Sequence, residues 1–113
     1  MKRYGSVLGL RADKIAEYKK LHEAVWPDVL KTIKNCHIKN YSIFLRKMDD
    51  GRHYLFSYFE YTGRDYAADI AKMAADPETQ RWWKETDPCQ SPLPDAAAAG
   101  KIWADAKEVY FLK

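Results

Sequence analysis

The chain has 113 residues, of which 47% are hydrophobic and 31% charged, and its formal net charge is +3. These values are typical of one globular domain, so we predict that residues 1–113 form a single domain around one core. The apolar runs are too short to cross a bilayer, and the mixed charges form neither a nucleic-acid stripe nor a membrane-binding face. A small neutral ligand is the partner that fits this balance best.

The two cysteines, Cys36 and Cys89, form no CxxC pair and have no histidines at metal-ligand spacing. We therefore expect two reduced thiols, with neither a disulfide nor a metal site. The first residues, "MKRYGSVLGLRADK", lack the long apolar stretch and the cleavage site of a secretory signal. These features together predict a cytoplasmic protein.

The first half of the chain predicts a strand followed by a long helical pattern. Residues 3–10, "RYGSVLGL", are apolar with two glycines and predict the first strand. After Asp13, apolar residues recur at three- and four-residue steps from Ile15 to Ile33, which is the period of an amphipathic helix. Pro27 interrupts the pattern, since proline lacks the amide hydrogen and crowds the preceding turn. We expect the helix to kink or restart there.

A β-hairpin is predicted in the middle of the chain. Residues 38–46 and 53–61 are rich in aromatic and β-branched side chains and predict two antiparallel strands. Asp50 and Gly51 lie between them and supply the residues that a tight turn requires.

The second half predicts two helices, a loop and a closing strand. One helix runs through Ala75, and a separate short helix follows, capped by Asp76 with Pro77 in its first turn. Residues 88–101 contain three prolines and an alanine run, and we predict a loop there without a helix. Residues 106–113, "AKEVYFLK", predict the fourth strand.

The predicted order is the ferredoxin-like βαββαβ plan of an α+β protein, with an antiparallel sheet and both helical segments on one face. The third strand is apolar on both faces, with Tyr54, Phe56 and Tyr58 on one and Leu55, Phe59 and Tyr61 on the other. The second face of the sheet therefore needs a cover. A partner subunit and a ligand on aromatic platforms are both open, and we favour the partner subunit.

His22 is the one histidine within the strongly patterned helix, and at one-turn spacing it shares a face with Tyr18. Two interpretations are open. The ring is either a core histidine with satisfied nitrogens or a group that gives and takes a proton near neutral pH. His37, in a predicted loop, and His53, at a strand start, are weaker candidates.

The adjacent tryptophans Trp82 and Trp83 point about 100° apart on a helix, so they cannot fill the same pocket. Either one is in the core and the other at an interface, or both are stacking surfaces for the C–H faces of a sugar. Tyr41, on the second predicted strand, either packs in the sheet or points towards the same site. Asp87 follows the tryptophans and is either a solvated carboxylate or part of that site.

Several motif classes are missing from the sequence. It contains no glycine-rich phosphate loop, HExxH motif, EF-hand loop or GxSxG elbow, which disfavours nucleotide, metal and acyl-enzyme chemistry. Two rival classes stay open. A barrel of the monooxygenase or haem-binding type would use His22 as a haem ligand, and the aromatic third strand superficially resembles that of RNA-recognition domains.

Four segments in this order, "YKKLHEAVWPDVL", "NYSIFL", "ADPETQRWWKETDPCQ" and "EVYFL", resemble the L-rhamnose mutarotase family over nearly the whole chain. The resemblance implies a ferredoxin-like subunit that forms a homodimeric α/β barrel through its sheet. It also implies an isomerase that interconverts the α and β anomers of L-rhamnose without metal or cofactor. In that family the matching histidine is the proton donor, which is His22 here, and the sugar contacts fall on Tyr18, Tyr41, Trp82 and Trp83.

The chemistry of anomer exchange suits these residues independently of the resemblance. Opening a pyranose hemiacetal removes a proton from the anomeric hydroxyl and delivers one to the ring oxygen, so one acid and one base suffice. An imidazole contributes roughly 10²- to 10⁴-fold in such a role. We expect Tyr18 to hold or relay the other proton. The loop at residues 91–101 is longer than in the family, which leaves a related deoxy sugar such as L-fucose as an alternative substrate.

Overall fold

The computed structural model describes all of residues 1–113 as a five-stranded sheet with five α-helices. The strands are β1 (Lys2–Leu10), β2 (Ile38–Lys47), β3 (His53–Tyr61), β4 (Gln90–Ser91) and β5 (Ala104–Ala106). The helices are α1 (Ile15–Glu23), α2 (Pro27–Asn35), α3 (Tyr66–Ala75), α4 (Pro77–Thr86) and α5 (Pro94–Ala98). The main elements follow the predicted βαββαβ order. None of the helices has the length and apolar character needed to cross a membrane.

Local sequence signals explain where the long helices begin and end. The first helical pattern divides as predicted, because α1 ends at Glu23 and α2 begins at Pro27, where the missing amide hydrogen costs nothing. Asp76 caps α4 as predicted, since its carboxylate accepts from the backbone N–H of Thr79 at 2.9 Å and from its hydroxyl at 2.8 Å. Pro27 and Asp76 thus fix where α2 and α4 begin, and so which of their side chains face the sheet.

The sheet is antiparallel in the order β2-β3-β1-β4, and β5 also pairs with β1. The longest uninterrupted pairing joins β1 and β3, from Lys2 opposite Tyr61 to Leu10 opposite His53. The β2–β3 hairpin turns at Gly51, whose φ of 82° is a left-handed conformation that glycine adopts without strain. The predicted hairpin is thus confirmed.

The core lies between the sheet and the helices. Its central residues are Leu8, Leu10, Tyr18, Leu55 and Cys89. Alternate residues of a strand share a face, so the helix-facing side also carries Tyr4 and Ser6 of β1 and Ser57 and Phe59 of β3. Cys36 and Cys89 are both buried and free, as expected.

The other side of the sheet, which we call the outer face, has an apolar row at its centre. Val7 lies opposite Phe56, which lies opposite Phe44. The three side chains therefore form a row across β1, β3 and β2, and Phe44 is 64% exposed. The outer face is the second face for which the sequence predicts a cover.

The predicted fourth strand at residues 106–113 is wrong in most of its extent. Only Ala106 belongs to β5, and residues 107–113, which we call the C-terminal tail, have no regular secondary structure. The tail is attached to β1 through Arg3, which donates to Glu108 at 2.8 Å and stacks over Phe111 at 3.4 Å. Apart from Phe111, its apolar side chains Val109, Tyr110 and Leu112 are largely exposed.

The predicted loop at residues 88–101 also needs a correction. It contains the short strand β4 and the five-residue helix α5. Alanine is the best helix former and Pro94 occupies the first turn, so the alanine run is helical despite its prolines. Gly100, with φ of 71°, follows the end of this helix.

Replacing Gly9 by alanine should destabilise the fold, because a Cβ at this position would lie 2.4 Å from the carbonyl oxygen of Ser91 in β4. We expect Gly9→Ala to lower the free energy of unfolding by about 1–3 kcal/mol, measured by urea denaturation at fixed chain concentration. Gly5→Ala is the matched control in the same strand, because its Cβ would meet only ordinary contacts at 3.7 Å or more. Equal effects of the two substitutions would contradict the tight approach of β4 to β1.

Candidate active site

His22 lies in the last turn of α1, one turn after Tyr18. Its Nδ1 is 2.9 Å from the backbone carbonyl oxygen of Tyr18. Because a carbonyl only accepts, Nδ1 carries the hydrogen and donates it. In the neutral ring the lone pair is then on Nε2. The backbone therefore fixes both the orientation of the ring and the nitrogen that can exchange a proton.

Two aromatic side chains contact this imidazole and a third packs on one of them, and the four rings form the aromatic cluster (Tyr18, His22, Trp26 and Trp82). The ring of Tyr18 stacks on His22 with centroids 4.3 Å apart, and Trp82 meets His22 edge-on at 5.3 Å. Trp26 meets Trp82 edge-on at 5.2 Å. Trp26 was not predicted as a site residue, although its spacing of four from His22 was an available signal. The cluster combines apolar contact surface with one imidazole that can give and take a proton at Nε2.

The two adjacent tryptophans of α4 point in different directions, as predicted. Trp82 is 6% exposed and belongs to the aromatic cluster, whereas Trp83 is 36% exposed and lies outside it. Asp87 follows the end of α4, and burial raises the pKa of its carboxyl. The structure therefore brings Trp82, but not Trp83, into contact with His22.

Tyr41 lies at an irregular point of the sheet, because the pairing of β2 with β3 shifts between Lys39 and Ser42. Asn40 has a φ of 51°, in the left-handed region that asparagine tolerates better than most residues. The ring of Tyr41 packs against Phe59 with centroids 5.4 Å apart. The bulge thus directs Tyr41 to the helix-facing side of the sheet.

The hydroxyls of the two candidate tyrosines are kept protonated. Burial raises the pKa of Tyr18, the nearby Tyr41 raises it further, and hydrogen bonding by Gln90 partly opposes both effects. Burial, with a smaller effect of Tyr66, raises the pKa of Tyr41 to about 12. Both phenols are therefore neutral hydrogen-bond donors at neutral pH, and neither is a base there.

Two small polar side chains lie between these tyrosines on the sheet, and we call them the serine pair (Ser6 and Ser57). Their hydroxyl oxygens are 2.5 Å apart. Along β3, Ser57 separates the core residue packed with Tyr18 from Phe59, which packs against Tyr41. Alternate residues of a strand are about 6.7 Å apart. The serine pair therefore puts two small hydroxyl side chains between the larger apolar residues of the same face.

The two weaker histidine candidates lie outside the aromatic cluster. The Nδ1 of His37 is 3.0 Å from the carboxylate of Asp69, and hydrogen bonds from Tyr61 and His37 lower the pKa of that carboxyl. His53 begins β3, and its Nδ1 is enclosed without a hydrogen-bond partner. His22 is therefore the histidine that the structure combines with the candidate tyrosine and tryptophan.

A separate surface cavity of about 280 Å³ opens along α1 beside Trp26. It is lined by Glu17, Lys20, Leu21, Ala24 and Trp26. The α1 residues among these follow each other at three- and four-residue steps, so they form a stripe next to that of Tyr18 and His22. Trp26 therefore borders both this cavity and the aromatic cluster.

Comparison with known proteins shows similarity to sugar isomerases along the whole chain. A family model described as L-rhamnose mutarotase matches residues 3–112. L-Rhamnose mutarotases of Bacillus subtilis (strain 168) and Listeria monocytogenes serotype 4b (strain F2365) are 35% and 34% identical over 112 residues, covering 99% of each chain. A crystal structure of an L-rhamnose mutarotase from Formosa agariphila superposes with a TM-score of 0.75 over 100% of both chains, at 20% identity. The superposition confirms the predicted fold, and the sequence matches favour the sugar isomerase over the haem-binding and RNA-binding alternatives.

The bond from His22 to the Tyr18 carbonyl predicts which tautomer the neutral ring adopts. We expect His22 to carry its hydrogen on Nδ1, with Nε2 unprotonated. Long-range ¹H–¹⁵N correlation spectra above the pKa of the ring report the tautomer from the two nitrogen shifts, and the spectrum of His22→Asn identifies the His22 signals. A neutral ring with its hydrogen on Nε2 would contradict the geometry.

Proposed function

Because the chain belongs to the L-rhamnose mutarotase family, we propose that it interconverts the α and β anomers of L-rhamnose by opening and reclosing the pyranose ring. The observation that carries this proposal is His22, with Nδ1 held by a backbone carbonyl and Nε2 left to exchange a proton within the aromatic cluster. Neither the reaction nor the residues proposed for it require a metal or a cofactor.

The proposed reaction moves two protons and one electron pair. The anomeric hydroxyl gives its proton to a water molecule as the carbonyl at C1 forms, and the electron pair of the bond between C1 and the ring oxygen goes to the ring oxygen. That oxygen takes a proton, and rotation about the C1–C2 bond followed by the reverse steps gives the other anomer. The net reaction is an isomerisation in which no atom is gained or lost.

We assign the proton that reaches the ring oxygen to Nε2 of His22. Nδ1 carries its hydrogen in both the neutral and the protonated ring, so the bond to the Tyr18 carbonyl is kept throughout. Only Nε2 changes its protonation state. A ring that does not reorient between giving and taking a proton suits a reaction that runs in both directions.

The remaining predicted residues are proposed to hold the sugar. Tyr18 and Tyr41 are neutral phenols on two sides of the serine pair, and each can donate a hydrogen bond to a sugar oxygen. A phenol with a raised pKa is a poor base at neutral pH, so we propose that Tyr18 holds the reacting hydroxyl and does not take its proton. Trp82 is proposed to contact the sugar beside His22, with which its ring packs edge-on. Trp83 is proposed to contact the sugar from the exposed side of α4.

A homodimer is proposed to cover the outer face. The row of Val7, Phe56 and Phe44 is an apolar strip, and a second copy of the sheet would bury it by two-fold packing. The C-terminal tail adds exposed apolar side chains at Val109 and Leu112, which are 90% and 77% exposed. The proposed location is the cytoplasm, where both free thiols stay reduced.

Removing the imidazole should slow anomer exchange. We expect His22→Asn to lower the exchange rate of L-rhamnose by roughly 10²- to 10⁴-fold, measured by saturation-transfer NMR. The matched control is His37→Asn, because asparagine tolerates the φ of 66° at that position and His37 lies outside the aromatic cluster. Exchange by His22→Asn at the wild-type rate would remove His22 from the mechanism. Wild-type exchange of L-fucose but not L-rhamnose would change the substrate and keep the chemistry.

The assembly proposal is tested at Phe44. We expect the wild-type chain to be a dimer in solution and Phe44→Asp to be a monomer, because a charge would be buried in the apolar contact between two sheets. Light scattering coupled to size exclusion measures both masses. Leu30→Asp is the matched control, since Leu30 is 44% exposed on α2 and lies away from the outer face. A monomeric wild-type chain would refute the dimer.

A further inference from the structure

We propose that Gln90 is a further sugar-contacting residue, whose side-chain carbonyl accepts a hydrogen bond from a substrate hydroxyl beside Tyr18. This inference rests on the proposed function. It makes Gln90 a residue that selects sugars by the position of their hydroxyl groups. Gln90 belongs to β4, in the segment that the sequence predicted as an irregular loop.

The register of β4 directs Gln90 towards the site. Gln90 lies directly opposite Leu10 of β1. Opposed residues of an antiparallel pair point to the same side of the sheet, and Leu10 packs in the core with Tyr18. The Gln90 side chain is therefore on the helix-facing side, next to Tyr18. Gly9 permits this approach, because any side chain there would collide with the carbonyl of Ser91.

The amide of Gln90 has one unsatisfied end. Its Oε1 is enclosed, and no donor of the chain bonds to it. Buried carbonyl oxygens in folded proteins nearly always have a hydrogen-bond partner, so an enclosed acceptor without one needs an explanation. A bound molecule that brings a donor to this position would satisfy it.

The chemistry of that donor follows from the neighbouring group. Hydrogen bonding by Gln90 lowers the pKa of Tyr18, which places the amide beside the phenol oxygen. An amide that donates to the phenol presents its carbonyl oxygen to the adjacent space. A hydroxyl group that donates to Gln90 and accepts from Tyr18 would use both polar groups at once. Sugar hydroxyls have this double character, which apolar or purely anionic ligands lack.

A second enclosed atom occurs on the same sheet but carries less weight. His53 lies on the other side of Leu10, and its Nδ1 also lacks a partner. Nothing in the structure connects His53 with Tyr18, whereas Gln90 shares the Leu10 row with the core around Tyr18 and lowers the pKa of its phenol. Gln90 is therefore the residue of this row that the structure ties to the candidate site.

The first test separates binding from turnover. Gln90→Met keeps the length of the side chain and removes the acceptor, while Gln90→Glu keeps an acceptor. With L-rhamnose in saturation-transfer NMR, we expect Gln90→Met to raise KM by about tenfold or more, with a smaller change in kcat. Gln90→Glu should recover part of this loss. Gln80→Met on the exposed surface of α4 is the control, where the amide donates only to the Ala74 carbonyl.

The second test identifies the hydroxyl. The 2-, 3- and 4-deoxy derivatives of L-rhamnose as substrates, and its 1-deoxy derivative as a competitive inhibitor, are compared with the parent sugar, in the wild type and in Gln90→Met. We expect the penalty of the substitution on KM or on the inhibition constant to disappear for the one derivative that lacks the hydroxyl donated to Gln90. An equal penalty for all five sugars would mean that Gln90 only supports Tyr18, and would overturn the inference.

The failure of this inference differs from that of the proposed function. A wild-type chain that exchanges no sugar anomers would refute the proposed function. A wild-type chain that is active, with Gln90→Met and Gln90→Glu both folded by thermal unfolding and unchanged in KM, would refute only the role of Gln90. If Gln90→Met does not fold, Gln90→Leu, which also lacks the acceptor, takes its place in the deoxy series.

Discussion

The continuous antiparallel pairing of β1 with β3 is the constraint on which the rest of the structure depends. It sets nine residues of each strand in one register, so that Ser6 lies opposite Ser57 and Leu8 opposite Leu55. A slip of one residue would turn every side chain to the other face. The apolar row of the outer face would then lie under Tyr18, and the serine pair would face away from the helices. The candidate site and the proposed dimer contact both follow from this one register.

A titratable ring on the buried side of α1 is explained by the same architecture. An imidazole packed among aromatic rings is partly shielded from water, which favours a protein partner for its ring nitrogens. The Tyr18 carbonyl satisfies Nδ1 within α1 itself, without any element from elsewhere in the fold. The break at Pro27 then brings Trp26 against Trp82 instead of continuing the helix. Because Nδ1 of His22 is bonded within α1, Nε2 is the ring nitrogen that can change its protonation state in the candidate site.

Much of the fold could be predicted because the deciding signals are local. The apolar period of α1, the break at Pro27 and the cap at Asp76 each act within a few residues, and the structure confirms them. The contact between His22 and Tyr18 could be predicted for a similar reason, since one-turn spacing places the two rings together. Three other features depend on pairing between distant segments. They are the irregular C-terminal tail, the direction of the Tyr41 side chain at the bulge, and the Oε1 of Gln90 that has no hydrogen-bond partner. Alternation along residues 106–113 cannot reveal how much of β1 is available to pair with them.

The candidate site and the proposed dimer contact lie on opposite faces of the sheet. The strands that carry the serine pair on the helix-facing side carry Val7 and Phe56 on the outer face. If a second copy packs on the outer face, it backs the strands beneath the sugar without entering the site. Arg3 is on the same face of β1 as Val7, and it attaches Glu108 and Phe111 of the C-terminal tail there. In such a dimer the proposed site and the contact between subunits would lie on opposite faces of the same strands.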